Sequence, residues 1–234
     1  MSEDWYADAV QRPIAKHVRA RTMAPNAVVL HVAVSEETSL FPYFAGAGVC
    51  SHFYVTRDGT IEQYLPISSK SSADYEGNNR TISIETQGGP DWDWIPEQVT
   101  AMVGIIRWAN TEHGVPLRLM ESSTPGEHGI GWHRLGIDGN FPASPSPYAG
   151  RVQRGGGESW STAKGKTCPG NDKIDMMPYI LSRATDVTLG SRTLKVRDQG
   201  PDVGELQRRM NALPSGLEKL DDDEDYYTLT AGRV

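Results

Sequence analysis

Three residues that lie far apart in the sequence could together bind a catalytic metal ion. Cys168 lies in the segment Lys166-Thr167-Cys168-Pro169, two residues after a cation, while His31 follows the apolar run 27–30 and His133 follows a Gly-Trp pair. Two imidazoles and one thiolate are a common ligand set for catalytic Zn²⁺, because three protein ligands leave a fourth tetrahedral position for water. A structural zinc ion would need a fourth ligand at short spacing, and the sequence contains no CxxC motif. The residues therefore predict an open, hydrolytic zinc site.

The composition excludes several classes of partner. A net charge of −7 argues against binding to phosphate backbones, so nucleic acid is not an expected partner. No run approaches the ~20 apolar residues of a membrane span, and the acidic start of the chain lacks the apolar segment of a signal peptide. We therefore expect a globular protein that is made in the cytosol, has no export signal and does not contact membranes. A monomer is also expected, although nothing in the composition decides the oligomeric state.

The two cysteines, Cys50 and Cys168, are predicted to be free thiols. A disulfide between them is the alternative that a secreted chain would favour. A reducing cytosol would keep both thiols reduced, and Cys50 is then most simply a small buried hydrophobic residue.

Patterns of apolar residues predict the strands that must position the candidate ligands. A buried strand is predicted over 27–34, in which His31 is an inserted polar residue whose burial needs a partner. An Asp-Gly pair predicts a hairpin over 51–65. Strict alternation predicts a further strand over 81–85, with Glu85 on its polar face.

The remaining segments are predicted to be helices and irregular structure. Apolar residues at helical spacing predict a helix over 96–112, and another is predicted from about 171 to 183. Residues 121–165 are rich in Gly, Pro and Ser, which predicts a long loop of the kind that is functional or disordered in compact domains. An amphipathic stretch over 205–213 follows a linker at 186–193, and an acidic run over 221–225 is predicted to be a solvated loop.

Five motifs, in this order and at these separations, resemble one family of enzymes. They are Val29-Leu30-His31, the hairpin segment 51–60, Thr81-Ile82-Ser83-Ile84-Glu85, Gly131-Trp132-His133 and Lys166-Thr167-Cys168-Pro169-Gly170. Over about 27–182 the chain resembles zinc-dependent N-acetylmuramoyl-L-alanine amidases of the phage-lysozyme and peptidoglycan-recognition-protein type. The segments Gly131–Pro142 and Gly165–Gly170 are most similar to actinobacterial phage endolysins.

The resemblance implies an α/β fold, with a central mixed β-sheet flanked by α-helices, zinc in a groove at one side and a short C-terminal helical appendage. The catalytic domain is expected over 27–185, while the polar, mixed composition of 1–26 predicts an N-terminal arm and a linker is predicted over 186–193. The remainder, 194–234, resembles the first half of a small helical peptidoglycan-binding module and lacks the second half. We therefore expect that this module is truncated.

The resemblance also implies a reaction and a role for each site residue. Zinc held by His31, His133 and Cys168 would activate water for attack on the amide between N-acetylmuramic acid and L-alanine of the peptidoglycan stem. Glu85 is the candidate that moves the proton to the departing nitrogen, and Lys166 is the candidate that stabilises the oxyanion.

Two departures from relatives bear on these roles. One branch of the family uses a tyrosine immediately before the His-Phe of the hairpin as its acid and base, and Ser51 occupies that position here, which favours Glu85. Relatives often have an auxiliary histidine shortly before the glutamate strand. The segment Ser71-Ser72-Ala73-Asp74 contains none, so this role is predicted to be unfilled.

The remaining histidines are less favoured as metal ligands. His128 competes with His133 because only five residues separate them, although the family pattern and the neighbouring Trp132 favour His133. His52 is predicted to be a hydrogen-bonded structural residue, and His17 and His113 to be exposed.

A non-catalytic peptidoglycan recognition module is the alternative function, in which serine typically replaces the thiolate ligand. A zinc peptidase has little support because the sequence contains no HExxH motif. The lack of a predicted export signal fits a phage lysin that remains in the host cytoplasm until lysis and then acts on the wall.

Overall fold

A computed structural model of the chain describes residues 4–18, 23–142, 148, 151–152, 156–185 and 206–207. Its strands and longer helices are β1 (Val10–Gln11), β2 (Ala27–Leu30), α1 (Phe41–Gly46), β3 (Phe53–Val55), β4 (Ile61–Gln63), β5 (Thr81–Thr86), α2 (Pro96–His113), β6 (Gly129–Trp132), α3 (Asn171–Asp175) and α4 (Met177–Thr185). Short 3-10 helices cover Ala15–His17, Tyr75–Asn79 and His133–Gly136.

A six-stranded mixed sheet, in the order β1-β4-β3-β5-β2-β6, forms the centre of the described part of the chain. The predicted hairpin pairs β3 and β4 antiparallel, whereas the other neighbouring strands pair parallel. Strand β2 lies between β5 and β6 and is completely buried. A parallel strand that is buried on both faces is expected to be a continuous apolar run, which explains the sequence Ala-Val-Val-Leu of β2. The predicted α/β fold with a central mixed sheet and flanking helices is thus confirmed.

Helix α2 covers the sheet with one apolar face. Its prediction over 96–112 agrees with the observed Pro96–His113, and the proline begins the helix where its missing N–H is not needed. Met102, Ile105, Ile106 and Ala109 are completely buried in the same core as the sheet residues. Because burial of a large apolar side chain contributes about 1.5–3 kcal/mol, this face anchors α2 and makes the sheet a firm base for the site.

The end of β2 differs from its prediction over 27–34. The regular strand ends at Leu30, yet pairing with β5 continues, since the N–H of His31 donates to Ile84 O (2.9 Å) and that of Ala33 to Thr86 O (3.0 Å). The chain then turns at Val34, which has a φ of 51°. His31 therefore lies just beyond the regular strand, where an inserted polar side chain can reach the edge of the sheet.

Two further predictions were incomplete. The predicted loop 121–165 contains strand β6, whose alternating glycines hide the apolar signal of a strand. One of these, Gly129, has a φ of 129°, and a Cβ atom there would overlap with the carbonyl oxygen of Arg118.

The predicted helix 171–183 is divided into α3 and α4. The division precedes Pro178, which has no N–H to continue the hydrogen bonding of α3.

The contacts within the chain divide it into two units, Met1–Ala184 and Thr185–Val234. The first unit ends within one residue of the predicted catalytic domain 27–185, and its N-terminal arm adds β1 to the edge of the sheet. The linker 186–193 and the tail 194–234 lie outside the described residues, except for 206–207, so the truncated module stays a prediction. None of the described helices has both the length and the apolar content that would let it span a membrane.

His52 has the structural role that the sequence predicts. Its side chain is completely buried, Nδ1 accepts from the N–H of Ser83 (3.1 Å), and Nε2 donates to Ser69 O (2.9 Å). These partners require a neutral ring, and burial lowers the pKa of His52 to about 4. The residue ties β5 to the loop after β4.

This histidine predicts a pH dependence of stability. Below the unfolded-state pKa of about 6.5, the unfolded chain binds a proton that folded His52 does not, so its contribution is present above that pH. It is lost as the pH falls towards 4, with a slope of up to about 1.4 kcal/mol per pH unit. The variant His52→Gln lacks this titration. We expect the stability advantage of the wild type over His52→Gln to shrink between pH 7 and pH 4.5 in urea unfolding. A difference that is independent of pH would contradict the assignment.

Candidate active site

Two histidines meet because of the way β2 and β6 pair. These strands are parallel, and Leu30 lies opposite Trp132 in their register. The next residue in each chain segment, His31 and His133, therefore emerges at the same edge of the sheet. The centroids of the two rings lie 4.4 Å apart, and both side chains are buried.

Cys168 completes a cluster of three potential metal ligands. The turn that contains it is held against both strands, since Val32 N–H approaches Cys168 Sγ (3.4 Å) and Arg134 N–H donates to Cys168 O (3.0 Å). One ligand atom from each of His31, His133 and Cys168 lies within 4.8 Å of the other two. This spacing is small enough for all three to bind one ion. Both cysteines are unpaired, as predicted.

His133 has the orientation and protonation of a metal ligand. Its Nε2 lies 2.9 Å from the carbonyl oxygen of Trp160, which fixes the proton on that nitrogen. Nδ1 is buried and has no hydrogen-bond partner among the described residues. Burial lowers the pKa of His133 to about 3, so the ring is neutral at neutral pH. A buried nitrogen with a free electron pair fits a metal ion.

The surroundings of His31 favour a positive charge. Nε2 lies 3.0 Å from Asp74 Oδ1, and Nδ1 lies 3.9 Å from Glu85 Oε1. Burial alone lowers the pKa of His31, but the negative charges of Asp74 and Glu85 outweigh it and raise this pKa well above its usual range. The negative electrostatic potential from Asp74 and Glu85 would also stabilise a bound cation. The electrostatics of the site, as well as its potential ligand atoms, therefore fit a metal ion.

Asp74 was missed as a functional residue by sequence reasoning. The segment 71–74 was predicted to leave an auxiliary role unfilled because it contains no histidine. Its last residue, Asp74, is nevertheless completely buried beside His31. A short polar segment of Ser, Ala and Asp has no signature that distinguishes this position from an exposed turn. Trp160 was missed for a similar reason, since it acts through its backbone carbonyl.

A groove of about 880 Å³ opens beside the three potential ligands. His133 and Cys168 line it, together with both candidate catalytic residues, Glu85 and Lys166. Glu85 retains 18% side-chain exposure, and its Oε2 has no hydrogen-bond partner in the described part of the chain. Burial raises the pKa of Glu85, while the positive charges of His31 and Lys166 oppose that rise. The structure thus brings all five predicted site residues to one place.

The lining of this groove also contains apolar side chains that are open to solvent. Val34, Tyr43 and Val49 all line it, with exposures of 71%, 62% and 43%. Exposed apolar residues that gather around a concave surface are typical of ligand-binding sites.

On the ligand side, the groove wall formed by Pro90 is fixed to the turn that contains Cys168. Gly170 has a φ of 114°, and a Cβ atom there would overlap with the carbonyl oxygen of Pro90. The buried side chain of Lys173 donates to Gly89 O (2.6 Å) and to Trp92 O. The segment after β5 and the turn before α3 are therefore packed as one body.

His128, the competitor for His133, does not join the cluster. It precedes β6, whereas His133 follows it, so the two lie at opposite ends of the strand. Four residues at ~3.3 Å each separate these ends by ~13 Å. The ligand cluster contains His133 and not His128.

Comparison with known proteins identifies the family. The Amidase_2 family model, described as N-acetylmuramoyl-L-alanine amidase, matches residues 21–171, which include all five predicted site residues. The chain belongs to this amidase family. As a member it is an N-acetylmuramoyl-L-alanine amidase, and peptidoglycan is its substrate. No curated protein matches its sequence.

A comparison with solved structures finds a shared fold. The catalytic domain of XlyA has a TM-score of 0.50 and 17% sequence identity to this amidase, covering 76% of this chain and 99% of that chain. At this identity the likeness to XlyA is one of fold alone. The endolysin N-acetylmuramoyl-L-alanine amidase LysCS from Clostridium intestinale URNW also matches, with a TM-score of 0.46 and 16% identity, covering 70% and 84%.

Replacement of each cysteine in turn by serine tests the cluster of potential ligands. We expect Cys168→Ser to lose metal binding, because a neutral hydroxyl cannot replace a thiolate as a soft ligand. The matched control is Cys50→Ser, which changes another buried thiol in the same groove and should keep metal binding. Elemental analysis of both purified variants, with circular dichroism to check folding, measures the difference. Full metal content in Cys168→Ser would remove this residue from the ligand set.

Proposed function

We propose that this amidase is a zinc-dependent phage endolysin that cleaves the amide between the lactyl group of N-acetylmuramic acid and L-alanine of the peptidoglycan stem. The observation that supports it most directly is the meeting of His31, His133 and Cys168 beside a groove that contains Glu85. The endolysin role is supported by the resemblance of the segments Gly131–Pro142 and Gly165–Gly170 to phage endolysins. The enzyme is proposed to act as a monomer, and its net charge of −7 disfavours binding to nucleic acid.

The donor set favours zinc over other metals. Two imidazoles with one thiolate suit a borderline-soft ion, whereas Mg²⁺ and Ca²⁺ prefer oxygen ligands. A zinc ion bound here would supply a Lewis acid that lowers the pKa of a water molecule to ~7 and polarises the amide carbonyl. His31, His133 and Cys168 would leave one coordination position for this chemistry, and the groove that His133 and Cys168 line would give substrate access to it.

Glu85 is proposed to take up a proton from the attacking water and to return it to the leaving nitrogen. The carboxyl group lies in the groove, one of its oxygens has no hydrogen-bond partner among the described residues, and burial raises its pKa. A group that acts as both general base and general acid is most effective when its pKa is near the working pH. The rise brings the pKa of Glu85 closer to neutral pH. Ser51, which also lines the groove, has no group that could exchange a proton at neutral pH.

Lys166 is proposed to stabilise the negative charge that develops on the carbonyl oxygen. Its side chain is exposed at the groove and its charge acts on both Glu85 and His133. A cation aimed at a developing oxyanion contributes about 3 kcal/mol when water is excluded. Bound substrate would provide that exclusion, because the groove is open in the free protein.

Metal removal tests the zinc assignment. We expect about one zinc per chain in the purified protein and a fall in turbidity when it is mixed with purified cell walls. A chelator should abolish this lysis, and added zinc should restore it, because the nucleophile depends on the metal. Amino-acid analysis of the soluble fragments should show new N-terminal alanine. A zinc-free protein that binds walls without clearing them would instead indicate a peptidoglycan recognition module.

A neutral replacement of Glu85 tests its role in proton transfer. We expect Glu85→Gln to bind zinc and to fold normally, while kcat falls by about 10²–10⁴-fold, the usual contribution of a positioned acid or base. The control is Glu37→Gln, which neutralises a second carboxylate that lines the same groove and should change kcat only a few-fold. Wild-type turnover in Glu85→Gln would assign proton transfer to another group.

A further inference from the structure

Asp74 places a carboxylate in a fully buried position against one metal ligand. Its side chain has no exposure, and its Oδ1 lies 3.0 Å from Nε2 of His31. Neither of these two atoms has another hydrogen-bond partner among the described residues. A buried carboxylate is costly unless it is paired, so the contact with His31 accounts for its presence there.

Asp74 is held in place through both its carboxylate and its backbone. Its Oδ2 accepts a hydrogen bond from Thr81 Oγ1 (2.7 Å), at the start of β5. Its backbone N–H donates to Asn78 Oδ1 (2.8 Å), and its carbonyl oxygen accepts from the N–H of Gly77 (2.7 Å). The bond from Thr81 connects the carboxylate to the strand that contains Glu85, and the other two fix the backbone, so the position of Asp74 relative to the site is well defined.

The two carboxylates near His31 approach different nitrogens of its ring. Asp74 approaches Nε2 at 3.0 Å, whereas Glu85 approaches Nδ1 at 3.9 Å. Only Glu85 lines the groove, with 18% side-chain exposure against none for Asp74. Substrate and water can therefore reach Glu85, whereas Asp74 can act only through the imidazole.

We propose that Asp74 is a positioning residue that keeps the proton of His31 on Nε2 and thereby presents Nδ1 to the metal. The inference rests on the metal site proposed above and adds the element that selects the tautomer of one ligand. A carboxylate at hydrogen-bond distance accepts a hydrogen bond from Nε2–H and raises the basicity of the opposite ring nitrogen, Nδ1. His133 is oriented in the same sense, because Trp160 O holds the proton on its Nε2.

The charge of Asp74 contributes as well as its hydrogen bond. The carboxylate of Asp74 is completely buried and faces His31, so it would supply a negative charge close to a bound cation. Removal of that charge would leave the cation with one counter-charge fewer in a buried region, which weakens its binding.

The test compares Asp74→Asn with Thr81→Val in the full-length protein. The first variant removes the charge and allows an amide N–H₂ to face Nε2. The second keeps the charge and removes the other hydrogen bond of the carboxylate, together with the contact of the same hydroxyl with Gly77 O (3.1 Å). Zinc affinity is measured on metal-free protein by competition with a chromophoric chelator. The tautomer of His31 is read from the ring nitrogens of ¹⁵N-histidine-labelled protein by NMR.

We expect wild-type His31 to carry its proton on Nε2 when zinc is bound. Asp74→Asn should bind zinc about 10–100-fold more weakly, the usual effect of removing a partner of a ligand. Thr81→Val should lower the melting temperature and keep zinc affinity within about threefold. Wild-type affinity in folded Asp74→Asn, an equal loss in Thr81→Val, or a proton on Nδ1 in the wild type would each overturn the inference alone. A wild type that binds no zinc would overturn the proposed function as well.

Discussion

In a parallel sheet the carboxyl ends of neighbouring strands lie at the same edge, and β2 is paired in this way with β5 on one side and β6 on the other. Leu30 lies opposite both Ile84 and Trp132. The residues that follow these three positions are His31, Glu85 and His133, so a single register brings together two potential ligands and the proposed base. A slip of one residue would turn each of these side chains to the other face of the sheet. The buried apolar surface of β2 fixes that register.

Cys168 reaches the same edge by a different route. It lies in a turn and not on a strand, and its position depends on backbone contacts with Val32 and Arg134, the residues next to the two histidines. The site therefore combines a rigid base from the sheet with one ligand from a loop. Loops tolerate sequence change better than central strands do, and functional groups on loops are commonly positioned by such a scaffold.

The three potential ligands that the structure brings together were named from the sequence because each lies in a short motif with a clear chemical type. His31 interrupts an apolar strand, and Cys168 follows a cation by two residues. The partners of the ligands were not predictable in this way. Asp74 lies in an ordinary polar segment, and Trp160 contributes a backbone carbonyl that any residue could offer. Contacts of this kind depend on tertiary packing between segments that are distant in sequence.

Secondary structure shows the same contrast between local and non-local information. The hairpin over 51–65 and helix α2 were predicted well because a turn pair and a long apolar stripe are local signals. Strand β6 was missed, since two of its four residues are glycines, which are explained by close approach of Arg118, Met120 and Leu135. The break between α3 and α4 depends on Pro178, a local signal that a continuous apolar pattern obscured.

The packing of Gly170 against Pro90 has a consequence for substrate recognition. The wall formed by Pro90 and the turn of Cys168 cannot separate without breaking the contacts of Lys173 as well. That side of the groove is thus already in its binding conformation, and a ligand that rests on it loses little affinity to ordering the protein. Tyr43 and Val49 also line the groove, and their side chains are exposed, so adaptation to different stem peptides is left to side chains of this kind.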